Sequence, residues 1–345
     1  MIDKIVFYVN DVDIDALEKH LAKQEIIKEE LAAVALDRER DIFKYGVTLK
    51  RAIVLKVSLE KKKGAKEKHW KLSGHGSLHK FVQGGNHDRF NASEAIKAII
   101  ELGEILGISL DRIIITCLEI GVNLQMPKEP MKYIDKVRSH GITTKRAFIH
   151  MRPLKDTPHL RGKLCQYTYY VIKFYDKTFE AEYYRKKWLK KYKAEGIPIP
   201  VIRENILRYE IELHPKKFPA LGFQNIKAST FTAEKLLNHR FYSRFVKMLE
   251  DVFQKTELVD LSNIHHEKSL DEIKNYIFVT SDSYNLYLDY LKDILEKNDY
   301  NKAIRDDKAL VKEFDFVKHT ESVKELKAIF EKEINLVYDT RKYSK

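Results

Sequence analysis

The stretch Ile206-Leu207-Arg208-Tyr209-Glu210-Ile211-Glu212-Leu213-His214 decides the fold class. Its side chains alternate with the period of a β-strand. Leu207, Tyr209, Ile211 and Leu213 take one face, and Arg208, Glu210, Glu212 and His214 the other. A strand that is apolar on one side belongs to a sheet with one packed face, the usual condition of antiparallel sheets. Two further stretches follow the same rule. In residues 111–125, Leu118, Ile120, Val122 and Leu124 oppose Glu119, Gly121, Asn123 and Gln125. In Cys165 to Lys177, a single strand by its pattern, Lys173, Tyr175 and Lys177 share a face.

Working outward, Ile5 to Val9 reads as a strand. Asp13 to Glu30 has helical spacing, with Asp13 as N-cap. Residues 46–60 and the strand through Trp70 and Leu72 form a long hairpin around a basic turn, and Gly74 and Gly76 are expected to break that strand. Asn91 opens a helix that runs through Leu106 and stops at Gly107. Pro127 and Pro130 end the next strand, and a short helix follows through Tyr133 and Val137. Phe148 to Met151 is a strand, and Phe179 to Tyr192 a basic helix with Arg185, Lys186, Lys187, Lys190 and Lys191. Beyond Pro215 to Pro219 the pattern is helical: 232–255, 283–296, 308–316 and 321–337. The expected architecture is α+β, an antiparallel-sheet domain over residues 1–215 followed by a helical domain over 216–345.

The chain has 345 residues, and 63 Lys and Arg against 51 Asp and Glu leave a net charge of +12. Residues 216–345 carry 23 against 22, so +11 belongs to residues 1–215. A local excess of this size points to an anionic partner, of which nucleic acid is the commonest. No apolar run approaches the ~20 residues of a membrane helix. The start Met1-Ile2-Asp3-Lys4 lacks the layout of a signal peptide, so a cytoplasmic protein is expected. Cys117 and Cys165 are the two cysteines, and their number implies neither a disulfide framework nor a cysteine-based zinc site.

The polar faces of the three strands carry carboxylates, an amide, a tyrosine and lysines. One reading is a solvated sheet face. The other is a single site, whose oxygen ligands suit Mg²⁺ or Mn²⁺. A tyrosine beside a cation or base is then placed to attack a phosphodiester.

Five blocks carry a resemblance. They are Met1-Ile2-Asp3; Trp70 to Gly74 with Leu78-His79-Lys80-Phe81-Val82-Gln83-Gly84-Gly85-Asn86; Thr116-Cys117-Leu118-Glu119-Ile120-Gly121-Val122; Val171-Ile172-Lys173-Phe174-Tyr175-Asp176-Lys177; and Ile206-Leu207-Arg208-Tyr209-Glu210. In this order they resemble the replication initiators of filamentous phages and related plasmids, the gene II/X family. The resemblance spans residues 1–215. It implies a rolling-circle initiator that nicks one strand of a double-stranded origin through a tyrosine and later rejoins the displaced strand.

Carried onto this chain, the resemblance makes Tyr175 the nucleophile, assisted by Lys177 and Arg208. Glu119 and Glu210 become metal ligands, with His79 as a candidate third. His79 and His75 otherwise read as loop histidines. Lys80, Asn86, Arg89, Lys173, Arg185, Lys186 and Lys187 become DNA contacts, and Tyr183 and Tyr184 candidates for base stacking. Many rolling-circle nucleases use a His-hydrophobic-His triplet, which this sequence lacks. The implied setting is the bacterial cytoplasm. The implied partners are origin DNA, double- and single-stranded, and a host helicase and polymerase. The helical region is a candidate for dimerisation, DNA contact or helicase recruitment. Two other readings stay open: a non-catalytic DNA-binding regulator of replication, and a transposon or mobilisation nuclease with the same chemistry.

Overall fold

A computed structural model describes residues 1–23, 42–50, 52–61, 68–85, 88–141, 145–151, 160–194, 201–214, 231–262, 264, 268–281 and 283–337. Twelve strands are described: β1 (Ile2–Asn10), β2 (Ile42–Leu49), β3 (Ile53–Lys61), β4 (Lys68–Ser77), β5 (Ile114–Gln125), β6 (Val137–His140), β7 (Arg146–Ala147), β8 (Ile149–His150), β9 (Gly162–Gln166), β10 (Tyr170–Asp176), β11 (Ile206–Leu213) and β12 (Thr256–Leu258). Nine of them form one antiparallel sheet in the order β2-β3-β4-β1-β5-β11-β10-β9-β8. The other three form a small sheet, β12-β6-β7. The helices are α1 (Ile14–Lys23), α2 (Leu78–Gln83), α3 (Ala92–Leu106), α4 (Met131–Ile134), α5 (Lys177–Ala194), α6 (His239–Gln254), α7 (Leu270–Val279), α8 (Tyr284–Ile294), α9 (Lys297–Glu313) and α10 (Glu321–Val337). The protein is therefore α+β, with a large antiparallel sheet and a helical C-terminal region.

Strand β11 is central and bonds to β5 and β10 along its length. Its apolar face is fully buried, and Tyr209 shows why. Its ring packs against Phe174 of β10, Phe253 of α6 and Phe330 of α10, and its hydroxyl donates to Leu249 O at 3.1 Å. Thus α6 and α10 share the sheet's core, while Val259, Ile264, Tyr276, Phe314 and Val317 form a smaller core of their own. The expected domain boundary at 215 falls in residues 215–230, outside the described residues.

Local signals hold where they are strong. Asn91 caps α3 with a reciprocal bond pair to Glu94, and Gly107 closes it at φ 62°. Asp13 accepts from the Ala16 amide at the start of α1. Other expectations fail. β4 runs through Gly74 and Gly76 instead of breaking there, because a Cβ at either position would collide with Phe7 of β1 or the Ala52 carbonyl. The glycines let three strands approach closely. His79 consequently lies on α2, capped by Ser77, and not in a loop. The stretch Cys165 to Lys177 is not one strand: Tyr167 turns back to bond the Tyr170 carbonyl and separates β9 from β10, and Lys177, expected on the strand face with Tyr175, is instead the first residue of α5. Among the described residues, the sequence pattern gives no sign of α2, α7, β7 or β12, and Val137, expected on the short helix, opens β6 because it pairs with Leu258 of β12.

Candidate active site

The register of three strands builds the site. Tyr175 lies opposite Arg208, Lys173 opposite Glu210, Glu210 opposite Gly121, and Glu212 opposite Glu119. Directly opposite residues share a face, so Glu119, Asn123, Lys173, Tyr175, Arg208, Glu210 and Glu212 converge. Strand β1 adds Asp3 and Lys4. Adjacent residues of a regular strand point to opposite faces, but β1 shifts register between Ile2 and Ile5, and both side chains reach this cluster.

Two cations organise the carboxylates. Lys173 Nζ donates to Glu119 Oε1 and Glu212 Oε2, both at 2.8 Å, and lies 3.3 Å from Glu210 Oε1. Arg208 Nε donates to Glu210 Oε2 at 3.2 Å and Nη1 to Asn123 Oδ1 at 3.1 Å, while Nη2 reaches Asp3 Oδ2 at 3.5 Å. Tyr175 Oη donates to the same Glu210 Oε2 at 3.2 Å. The first turn of α5 adds Lys177, which pairs with Glu180 and sits 5.6 Å from the Tyr175 ring. Glu210 is 3% exposed and Tyr175 6%.

The titration behaviour follows from this sharing. Burial opposes the Lys173 ammonium, but Glu210, Glu119 and Glu212 together hold its pKa well above the usual lysine value. One ammonium cannot neutralise three carboxylates. Burial and the Glu210 charge push Glu119 up to about 7, whereas Glu212, opposed by burial but favoured by Lys173, falls to about 2. Burial, then Glu210 and Glu180, push Tyr175 well above 10. Burial likewise opposes ionisation of Asp3, yet Arg208 and Lys177 keep it well below the usual carboxylate range.

The Glu119 shift has a sign that can be checked. A carboxylate whose folded pKa lies above its unfolded 4.5 favours the fold fully below 4.5, and loses that contribution as pH rises through about 7. Glu119→Gln mimics the protonated acid. It should match wild-type stability near pH 5 and exceed it near pH 8, as read from urea midpoints.

Gly121 is the gap that admits Glu210. A Cβ there would lie 2.5 Å from the Tyr209 carbonyl oxygen and 2.7 Å from Glu210 Cβ. Gly121→Ala should cost ~1–3 kcal/mol in chemical denaturation, because the strands β5 and β11 must part.

The site omits several expected members. His79 is buried, stacked on Phe90 with ring centroids 4.7 Å apart, and its Nε2 meets Gln83 at 2.8 Å. Burial lowers its pKa to about 3. It does not join Glu119 and Glu210 in a three-donor cluster among the described residues. Lys173 is the hub of the carboxylates and not a peripheral contact. Arg89 forms a two-bond pair with Glu333 of α10, at 2.9 and 3.0 Å. Lys80 Nζ lies 5.3 Å over the Tyr184 ring. Arg185 and Lys186 sit near Glu182 on the outer face of α5, and Lys187 is exposed. Asn86 lies outside the described residues.

Glu119 and Glu210 are donors of the kind Mg²⁺ and Mn²⁺ prefer, but Lys173 Nζ holds the point on which they converge. A divalent ion ~3 Å from that ammonium would be repelled by roughly 10 kcal/mol at an effective dielectric of ~20. Arranged this way, the residues fit a lysine and not a hard divalent ion.

No family model and no curated protein matches the chain.

Asp3, Lys4 and Glu180 are the members that sequence reasoning missed. The signal for the first two was present: two consecutive polar residues inside Ile2-Asp3-Lys4-Ile5 break the strand period and mark a bulge.

Proposed function

We propose that the protein is a rolling-circle replication initiator that nicks and rejoins origin DNA through Tyr175. The observation that carries this reading is the contact of Tyr175 Oη with Glu210 Oε2, beside Arg208 and Lys177. Tyr175 Oη passes its proton to Glu210 as it attacks phosphorus. The bond to the 3′ oxygen breaks, and that oxygen leaves as a 3′-hydroxyl with a proton from solvent. The 5′ phosphate stays on Tyr175. Rejoining is the reverse: a 3′-hydroxyl attacks the phosphotyrosine and gives its proton to solvent, and the departing phenolate recovers the proton from Glu210. The phosphodiester energy is conserved, so closure needs no nucleotide. Arg208 and Lys177 place positive charge where the phosphate gains negative charge. The phenol is buried, so DNA reaches it only when neighbouring side chains give way.

The test is nicking of supercoiled origin DNA, with Mg²⁺ or Mn²⁺ present, by wild type and by Tyr175→Phe, with the protein–DNA adduct mapped by peptide sequencing. An adduct on another tyrosine, or undiminished nicking by the Phe variant, ends this reading.

A second reading rests on the ion pairs themselves. Lys173 and Arg208 satisfy Glu119, Glu210, Glu212 and Asp3. A polar network so closed suits a non-catalytic DNA-binding regulator, which would bind origin DNA and form no adduct.

A further inference from the structure

One pleat along from Lys173, the same sheet face gathers a different donor set. Cys117 Sγ, a Glu212 carboxylate oxygen and a His214 ring nitrogen all lie within 4.8 Å of one another. The β5–β11 register accounts for this. Leu213 pairs with Leu118, so the next residues along, His214 and Cys117, face each other across the ladder, with Glu212 two positions back on the same face. Among the described residues this is the one set of three His, Cys, Asp or Glu donors that meets this distance. The two oxygens of Glu212 divide their work. Oε2 accepts from Lys173, and Oε1 lies 3.4 Å from His214 Nε2. Cys117 is buried and free of any disulfide, and the His214 and Glu212 side chains are 43% and 20% exposed, so the donors open to solvent on one side.

We propose that Cys117, Glu212 and His214 form a binding site for a thiophilic first-row divalent ion of the Zn²⁺ class. Thiolate, imidazole and carboxylate are the donors such ions take, and three protein ligands leave a fourth position for water. Tetrahedral coordination sets donors ~3.5 Å apart; Glu212 Oε1 and His214 Nε2 are already at 3.4 Å, and the three donor residues offer atoms within 4.8 Å of one another. A hard ion gains little from the thiolate and prefers oxygen. A thiol gives up its proton to bind the ion as a thiolate, so affinity rises with pH. The ion would tie the ends of β5 and β11 together and take one oxygen of the residue that anchors Lys173. The proposal is independent of the nicking reading, since it concerns binding alone.

The test is titration of the reduced full chain with Co²⁺, followed by absorbance. The expected result is one equivalent bound, with a thiolate-to-cobalt charge-transfer band and tetrahedral visible bands, both removed by stoichiometric Zn²⁺. Cys117→Ser should abolish the charge-transfer band with its circular dichroism unchanged. His214→Gln, a half-exposed position, should weaken Co²⁺ binding by about 100-fold. Cys165→Ser should leave both signals intact. A wild-type titration without the charge-transfer band overturns the proposal, and so does a band that survives Cys117→Ser or disappears with Cys165→Ser.

Discussion

Tyr175→Phe should keep the fold and lose strand nicking by at least about 10⁴-fold, the scale seen when a covalent nucleophile is removed. The two halves of this expectation have separate causes. The phenol makes one hydrogen bond, to Glu210 Oε2, and that oxygen keeps Arg208 Nε as a partner after the hydroxyl is gone. The stability cost should be ~1 kcal/mol, the net value of a single hydrogen bond whose acceptor stays satisfied. The ring keeps its place over Lys177, so the local packing survives. Strand cleavage has no such substitute, because among the described residues no other hydroxyl bonds the Glu210 oxygen. Origin binding, read by mobility shift, should be unchanged. Loss of both binding and nicking would show that Tyr175 supports the fold and does not perform the chemistry.

Lys173→Met should destabilise the protein by ~3–5 kcal/mol near pH 8, the usual cost of removing one member of a buried ion cluster. Met preserves the length and most of the volume of the stem, so the loss is electrostatic. Glu119 would keep Lys4 at 3.3 Å and Glu210 would keep Arg208, but Glu212 would lose its bonded ammonium and keep only His214, the Glu119 carboxyl and the more distant Lys4 charge. The pH dependence separates this from a packing defect. In the wild type, Glu212 has a folded pKa of about 2, below its unfolded 4.5, so it contributes stability above 4.5 and loses it as pH falls toward 2. Without Lys173 the attraction that holds Glu212 down is lost, and burial opposes its charge. The penalty is then absent at low pH and grows as pH rises. Urea midpoints of the two proteins should converge near pH 4 and diverge toward pH 8. A variant as stable as wild type at pH 8 would show that Lys173 does not hold this face together.

The face of each site strand was legible because period two is a local property. Arg208, Glu210 and Glu212 share a side whatever β11 pairs with, and so do Glu119 and Asn123 on β5. The pairing was not legible, since nothing within β10 or β11 states which residue lies opposite which. The glycines of β4 misled for a related reason. Read locally, Gly74 and Gly76 break a strand; in the sheet they are what allows β1 and β3 to close on it. Arg89 and Lys80 read as free cations only until Glu333 and Tyr184, distant in sequence, come beside them.

The sequence by itself determined an antiparallel α+β protein, with its positive charge in the first 215 residues and a polar face on three strands. Those features follow from side-chain alternation and composition, which need no partner. Only the tertiary structure decided what the polar face contains. Register set Tyr175 on Glu210 and brought Cys117 to His214, and a bulge in β1 carried in Asp3 and Lys4. The reason is that hydrogen-bonded register fixes which side chains share a few ångströms of low-dielectric space. In that space, which carboxylate meets which ammonium decides charge, proton and ligand alike.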